Sequence, residues 1–130
     1  MLTYITSEEY QELLGKSIPN NFNQLVIEAS SYINKMTFSR IDVNNIPEEV
    51  KYATCLIIDL LNARNSDLQE INTNILKSQN IEGWSETYLT PEEIKANYEN
   101  EMYSILETYL WNIYGIDNKP LLYKGVDVIG

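Results

Sequence analysis

The stretch that decides the fold is Pro47-Glu48-Glu49-Val50-Lys51-Tyr52-Ala53-Thr54-Cys55-Leu56-Ile57-Ile58-Asp59-Leu60-Leu61-Asn62-Ala63-Arg64. Proline suits a first helical turn, and the two glutamates after it favour the positive end of the helix dipole. Val50, Ala53, Thr54, Ile57, Leu60, Leu61 and Arg64 then fall on one face at helical spacing. Leu56 and Ile58 widen that face well beyond a stripe. A helix apolar over most of its circumference is central in a core, so 47–64 is the expected middle of the molecule. Its narrower polar side carries Lys51, Cys55, Asp59 and Asn62, and places Cys55 as a small residue at a packed or subunit contact.

Upstream, Thr6-Ser7-Glu8-Glu9 is a capping box that starts a short helix ending near Leu14, with Gly15 in the C′ role. A second helix over about 21–36 follows Pro19, with Phe22, Leu25, Val26, Ala29, Ile33 and Met36 on one stripe. Thr37 to Asn45 reads as a loop anchored to the core by Phe38 and Ile41.

Downstream, 66–74 is polar and turn-prone, and two short segments, Leu76–Ile81 and Trp84–Leu89, flank Glu82-Gly83. They read as a β-hairpin or an extended loop. Thr90-Pro91-Glu92-Glu93 is a second capping box, opening a fourth helix over about 91–114 that Gly115 can end. Its inward face is Ile94, Tyr98, Met102, Ile105, Leu106, Tyr109 and Ile113, whereas Tyr103, Trp111 and Tyr114 point away. The expected fold is therefore mainly α. It is a compact bundle of about four helices, with a small hairpin or loop at about 75–89 between the third and fourth. Residues 1–115 form the helical domain, and 116–130 an extended C-terminal docking tail.

Composition narrows the chemistry. The 130 residues support one domain, and 44% apolar content is ordinary for a globular chain. No run of about 18 apolar residues predicts a membrane span, and Met1-Leu2-Thr3-Tyr4 does not begin a signal peptide. The chain has no histidine and one cysteine, which removes a zinc site and a Cys-His nucleophile pair together. A lone Cys55 in an apolar run fits a reducing cytosol. No EF-hand-like loop is present. Glu92, Glu93, Glu99, Glu101 and Glu107 crowd the fourth helix, but paired catalytic carboxylates need a cleft that separates their pKa values. The reading is a solvated face. No catalytic, metal-binding or cofactor-binding residue is expected, and a non-enzymatic role follows. The net charge of −10 opposes nucleic-acid binding by phosphate neutralisation, since Lys119 with Lys124 is diluted by Asp117 and Asp127.

Two features ask for more than core packing. Tyr103, Trp111 and Tyr114 are either an interface or a surface that the tail or hairpin covers. The apolar segment Leu121-Leu122-Tyr123-Lys124-Gly125-Val126 either joins a partner or pairs with the hairpin of its own subunit.

Five collinear pieces carry a family resemblance. They are Tyr4-Ile5-Thr6-Ser7-Glu8-Glu9-Tyr10; Phe22 through Asp42 with Ala29-Ser30-Ser31-Tyr32-Ile33-Asn34-Lys35-Met36-Thr37; Pro47 to Leu61 with Val50-Lys51-Tyr52-Ala53; Lys77 to Tyr88 with Gly83; and Leu121 to Val126. In that order the chain resembles the tailed-phage head–tail connector, or head-completion adaptor, proteins. Trp84 departs from the pattern, which has a smaller or phenolic residue after the glycine.

The resemblance implies a structural subunit of the virion neck, made in the host cytoplasm. Its copies form a ring of about twelve, closed by a repeated head-to-tail contact. The ring docks under the portal protein, extends the DNA channel and presents a platform to a downstream neck or tail-completion protein. Leu121, Leu122, Tyr123, Lys124, Gly125 and Val126 are then the expected portal-contacting segment. Tyr103, Trp111, Tyr114 and Trp84 are the expected subunit interface. Genomic DNA passes through without specific binding, and an acidic channel wall suits that passage. The alternative from another class is a small acidic DNA mimic that sequesters a host DNA-binding protein.

Overall fold

The computed structural model describes residues 2–77 and 90–123. Four helices follow in order: α1 Ser7–Leu14, α2 Phe22–Met36, α3 Glu48–Lys77 and α4 Pro91–Leu110. Both capping boxes form. The Glu9 amide donates to Thr6 Oγ1 at 3.2 Å, and the Thr6 amide donates to Glu9 Oε1 at 2.9 Å. Thr90 and Glu93 exchange the same pair of bonds at 3.0 and 3.1 Å. Each box satisfies two amides that have no partner within the helix. Gly15 ends α1 in the left-handed region at φ 65°, with its amide on Gln11 O.

α3 is the hub, and α1, α2 and α4 each pack on it. The expected stripe of α2 is buried at Phe22, Leu25, Val26, Ala29 and Ile33, with Met36 half-buried against the core. From α3 come Val50, Ala53, Ile57, Ile58 and Leu61, and from α4 Met102, Leu106 and Leu110. The residues before α1 are tied down as well. Tyr4 and Ile5 are buried, and the Tyr4 amide donates to the buried Ser30 Oγ at 2.9 Å.

Three expectations need correction. First, α3 does not stop at Arg64. It runs through the polar stretch 66–74 and takes in Leu76 and Lys77, which were assigned to the first hairpin segment. Residues 62–77 hold no glycine or proline, so extending an established helix costs only a few tenths of a kcal/mol per polar residue. Tertiary bonds help: Arg64 Nη2 reaches Glu28 of α2, and the Tyr98 hydroxyl of α4 donates to Asp67. The rest of the proposed hairpin, including Trp84, lies outside the described residues, and among those described no strand occurs.

Second, α4 ends at Leu110 rather than at 114. The chain then doubles back: Tyr114 bridges to Pro120, and the Leu121 amide donates to Ile113 O at 2.8 Å. Gly115 serves a close approach rather than a left-handed cap, since a Cβ there would lie 2.4 Å from Arg40 Cβ. Third, Phe38 is not a core anchor. Phe38 and Ser39 both adopt positive φ, 55° and 58°, which turns the chain after α2 and swings the phenyl ring outward. Ile41 is buried as expected.

The narrower polar side of α3 is partly covered by α1, while Asn62 stays exposed. Lys51, Cys55 and Asp59 follow at four-residue spacing, and α1 meets two of them with a matched partner. Lys51 Nζ pairs with Glu9 at 2.6 Å, and the Tyr10 hydroxyl donates to Asp59. Lys16, just past α1, also reaches Asp59 at 2.7 Å. Cys55 between them is fully buried, so its packed contact is within its own chain.

Candidate docking surface

The chain after α4 returns to the loop after α2, and the two are joined at Arg40. Its carbonyl accepts the Ile116 amide at 2.9 Å. Its Cβ and backbone lie against Gly115. Its Nε donates to Asp117 Oδ2 at 2.9 Å. Nη1 faces three backbone carbonyls at once, those of Pro120 (3.1 Å), Leu121 (3.3 Å) and Tyr123. The guanidinium lies 5.0 Å from the Phe38 ring centre and 5.4 Å from that of Tyr123. The arginine side chain is only 11% exposed, so these contacts replace most of its water.

The strap 113–123 is thus part of the folded unit, and no separate tail begins at 116. Within it Asn118 adopts φ 63°, and the Lys119 amide donates to Asp117 Oδ1 at 3.2 Å. Desolvation raises the pKa of Asp117, but the Lys119 amide and the Arg40 guanidinium outweigh it and hold the carboxyl below its usual value.

The two segments carry most of the large exposed apolar side chains among the described residues. Of the six large apolar side chains that stand exposed among the described residues, five come from these two segments: Phe38, Val43, Trp111, Tyr114 and Ile116. They are 51–68% exposed. A shallow groove of about 250 Å³ runs between the segments, lined by Ile41, Asp42, Asn45, Pro47, Tyr114, Gly115 and Ile116.

The structure separates the residues expected to act together. Trp111 and Tyr114 are exposed. Tyr103 is half-buried and packs against the core instead of pointing away. In the expected portal-contacting segment Leu121 is buried at 1% exposure, Leu122 is half-buried against the core, and Tyr123 lies beside Arg40 and Lys119. Trp84, Lys124, Gly125 and Val126 lie outside the described residues. Sequence reasoning missed Arg40, and it missed Phe38, Val43 and Ile116 as surface. Nothing in the local sequence links Arg40 to carbonyls about 80 positions away; only the fold brings them together.

Elsewhere the titratable groups are occupied structurally. Burial, with Asp59 and Glu9 adding to it, pushes the Cys55 thiol up to about 12, which keeps it protonated and unreactive. Glu92, Glu93, Glu99, Glu101 and Glu107 are all exposed. Among the described residues no group of three or more His, Cys, Asp or Glu side chains could hold a metal ion. No described helix is long and apolar enough to cross a membrane. Comparison with known proteins adds no relative: no family model, no characterised protein and no solved structure matches the chain.

Proposed function

We propose that the chain is a structural, non-catalytic subunit of a phage head–tail connector ring. It docks under the portal, extends the DNA channel and offers a platform to the next neck or tail protein. The observation that supports this best is the joining of two distant segments at Arg40, on which Phe38, Val43, Trp111, Tyr114 and Ile116 stand exposed. Trp and Tyr at such a surface are the residue types that dominate interface energies. A ring needs two complementary surfaces on every copy, and this junction supplies one of them.

The charge fits the same role. A net charge of −10 keeps free subunits apart, and acidic side chains facing a lumen repel passing DNA. The exposed glutamates of α4 are candidates for that wall.

The test is negative-stain imaging of the full chain mixed with its cognate portal. A ring seated on the portal is expected, and free portal with unassembled chain ends the proposal. A truncation after Tyr123 refines it. Leu121 and the carbonyls bound by Arg40 remain in that variant, so helicity and melting temperature should hold. Loss of portal docking would assign the contact to residues 124–130; retained docking would assign it to the Arg40 junction.

A further inference from the structure

We propose that Glu9 and Asp59 make α1 an acid-released clasp. It is closed over Lys51, Cys55 and Asp59 of α3 while both carboxylates are charged, and it loosens when they are protonated. The inference is independent of the docking role argued above.

Among the described residues, three polar contacts cross to α3 from α1 and the residues just past it, and each ends on a carboxylate. Lys51 Nζ donates to Glu9 Oε2 at 2.6 Å, the Tyr10 hydroxyl donates to Asp59 Oδ1, and Lys16 Nζ lies 2.7 Å from Asp59 Oδ2. Glu9 has a second task. Its other oxygen, Oε1, accepts the Thr6 amide at 2.9 Å and so closes the capping box. One carboxylate therefore both starts α1 and fastens it to α3, which couples formation of the helix to its docking. At 8 residues α1 is too short to persist in water on its own, so once detached it melts.

The sign of the pH dependence follows from the groups along this seam. The Lys51 hydrogen bond lowers the Glu9 pKa against an opposing desolvation, and the same bond raises Lys51, to which Glu48 also contributes. Docked Glu9 holds its proton less tightly than released Glu9, so opening takes up a proton and acid favours it. The hold is complete above the ordinary value of 4.5 and is lost as pH falls through the lowered one. Asp59 serves Tyr10 and Lys16 together, and protonating it leaves Lys16 without its counter-charge. The contacts that persist at every pH are apolar. The Tyr10 ring meets Phe22 of α2 edge-on with centroids 5.6 Å apart, and Leu13 and Leu14 pack against the core.

Cys55 reports the state of the clasp. It is fully buried, and Asp59 and Glu9 both act on its thiol, so a closed α1 shields it. The full chain is labelled with dithiodipyridine, which reacts with thiols in acid as well as at neutrality. Rates are divided by those of an unstructured cysteine peptide at the same pH. Between pH 7 and about pH 3.5, a range that spans the carboxylate values, the corrected rate should rise at least ~10-fold. That rise should depend on urea much more weakly than global unfolding does, because only α1 leaves. The double variant Glu9→Gln with Asp59→Asn imitates both protonated forms. It should label about 10-fold faster than wild type at pH 7, and acid should add less than ~2-fold to its rate. A wild-type rate that stays flat in acid overturns the inference. So does labelling with the full urea dependence of unfolding, or a double variant that keeps the wild-type acid response. Should the double variant fail to fold, Glu9→Gln alone decides: it must raise the neutral rate and shrink the acid rise.

Discussion

The two ends of α3's surroundings invert the usual pattern. Along the α1–α3 seam, polar residues are closed over: Lys51, Cys55 and Asp59 lie beneath α1 and meet Glu9, Tyr10 and Lys16. On the two segments that Arg40 joins, apolar residues are left open: Phe38, Val43, Trp111, Tyr114 and Ile116 face solvent, while the arginine itself is almost buried. In the seam each polar group is offset by a partner in the same chain, so the surface is finished. At the junction the polar groups are paired and the apolar ones are not. An unfinished apolar surface on a well-tied frame is what a docking site requires.

The sharpest way to break this contrast is to detach the strap from the core. Leu121→Ala should destabilise the protein by about 2–5 kcal/mol, the usual cost of a large-to-small change at a fully buried site. Urea unfolding measures it. A cost below about 1 kcal/mol would mean that the strap is peripheral and that the junction has no firm frame. Gly115→Ala comes next. Its new methyl would sit 2.4 Å from Arg40 Cβ, and overpacking of that kind costs about 1–3 kcal/mol. The same denaturation curves report it, and a neutral result would show that the strap can shift away from Arg40 without penalty.

These two predictions also mark what the sequence could and could not reveal. Elements with local punctuation were legible: the capping boxes at Thr6 and Thr90, the Gly15 terminus and the stripe Phe22 to Ile33 all lie where the pattern puts them. Elements that depend on distant partners were not. The polarity of 66–74 suggested turns, but without a breaker α3 continued, with Asp67 and Arg64 bonded to other helices. Gly115 looked like a helix terminus, although its smallness serves the contact with Arg40. Phe38 looked like a core anchor until two consecutive positive φ values turned it outward. Of the exposed apolar side chains, Trp111 and Tyr114 were expected to point outward, although α4 ends before both of them, whereas Phe38, Val43 and Ile116 were not. Helical phase predicts directions on one helix and is silent about which loops meet.

The closed seam has its own signature in pH. Burial, reinforced by Asp59 and Glu9, raises the Cys55 thiol from 9.0 to about 12, so the folded state holds a proton that the unfolded chain releases earlier. Stability from this group is complete below pH 9 and is lost as pH rises towards 12. Tyr4 and Tyr32, raised from 10.0 to about 12 mainly by burial, act in the same direction over a narrower range. Melting temperature should therefore fall on the alkaline side, and Cys55→Ala should flatten the first part of that fall. On the acid side the hydrogen bond from Lys51 lowers the Glu9 pKa despite some desolvation. That pair contributes stability above the ordinary carboxylate range and loses it as pH drops through the lowered value. Glu9→Gln should cost about 1 kcal/mol or less at neutral pH, since both partners keep some access to water. A larger cost would make the seam a cooperative network rather than a set of pairs.

The smallest effect expected on stability is the most informative about the open end. Trp111 is 68% exposed, so Trp111→Ala removes little buried surface and should leave unfolding free energy within about 0.5 kcal/mol of wild type. At an interface the same change removes a residue of the type that commonly costs about 2 kcal/mol or more on truncation. Under the proposed role, portal binding should then weaken by roughly 30-fold, from the equivalence of 1.4 kcal/mol to a factor of ten. Denaturation and binding titration on one preparation separate the two. If stability falls and binding does not, Trp111 belongs to the fold, and the contrast with the seam disappears. If binding falls alone, the exposed end is kept open for a partner, and its cost to the free subunit is the apolar area it holds in water.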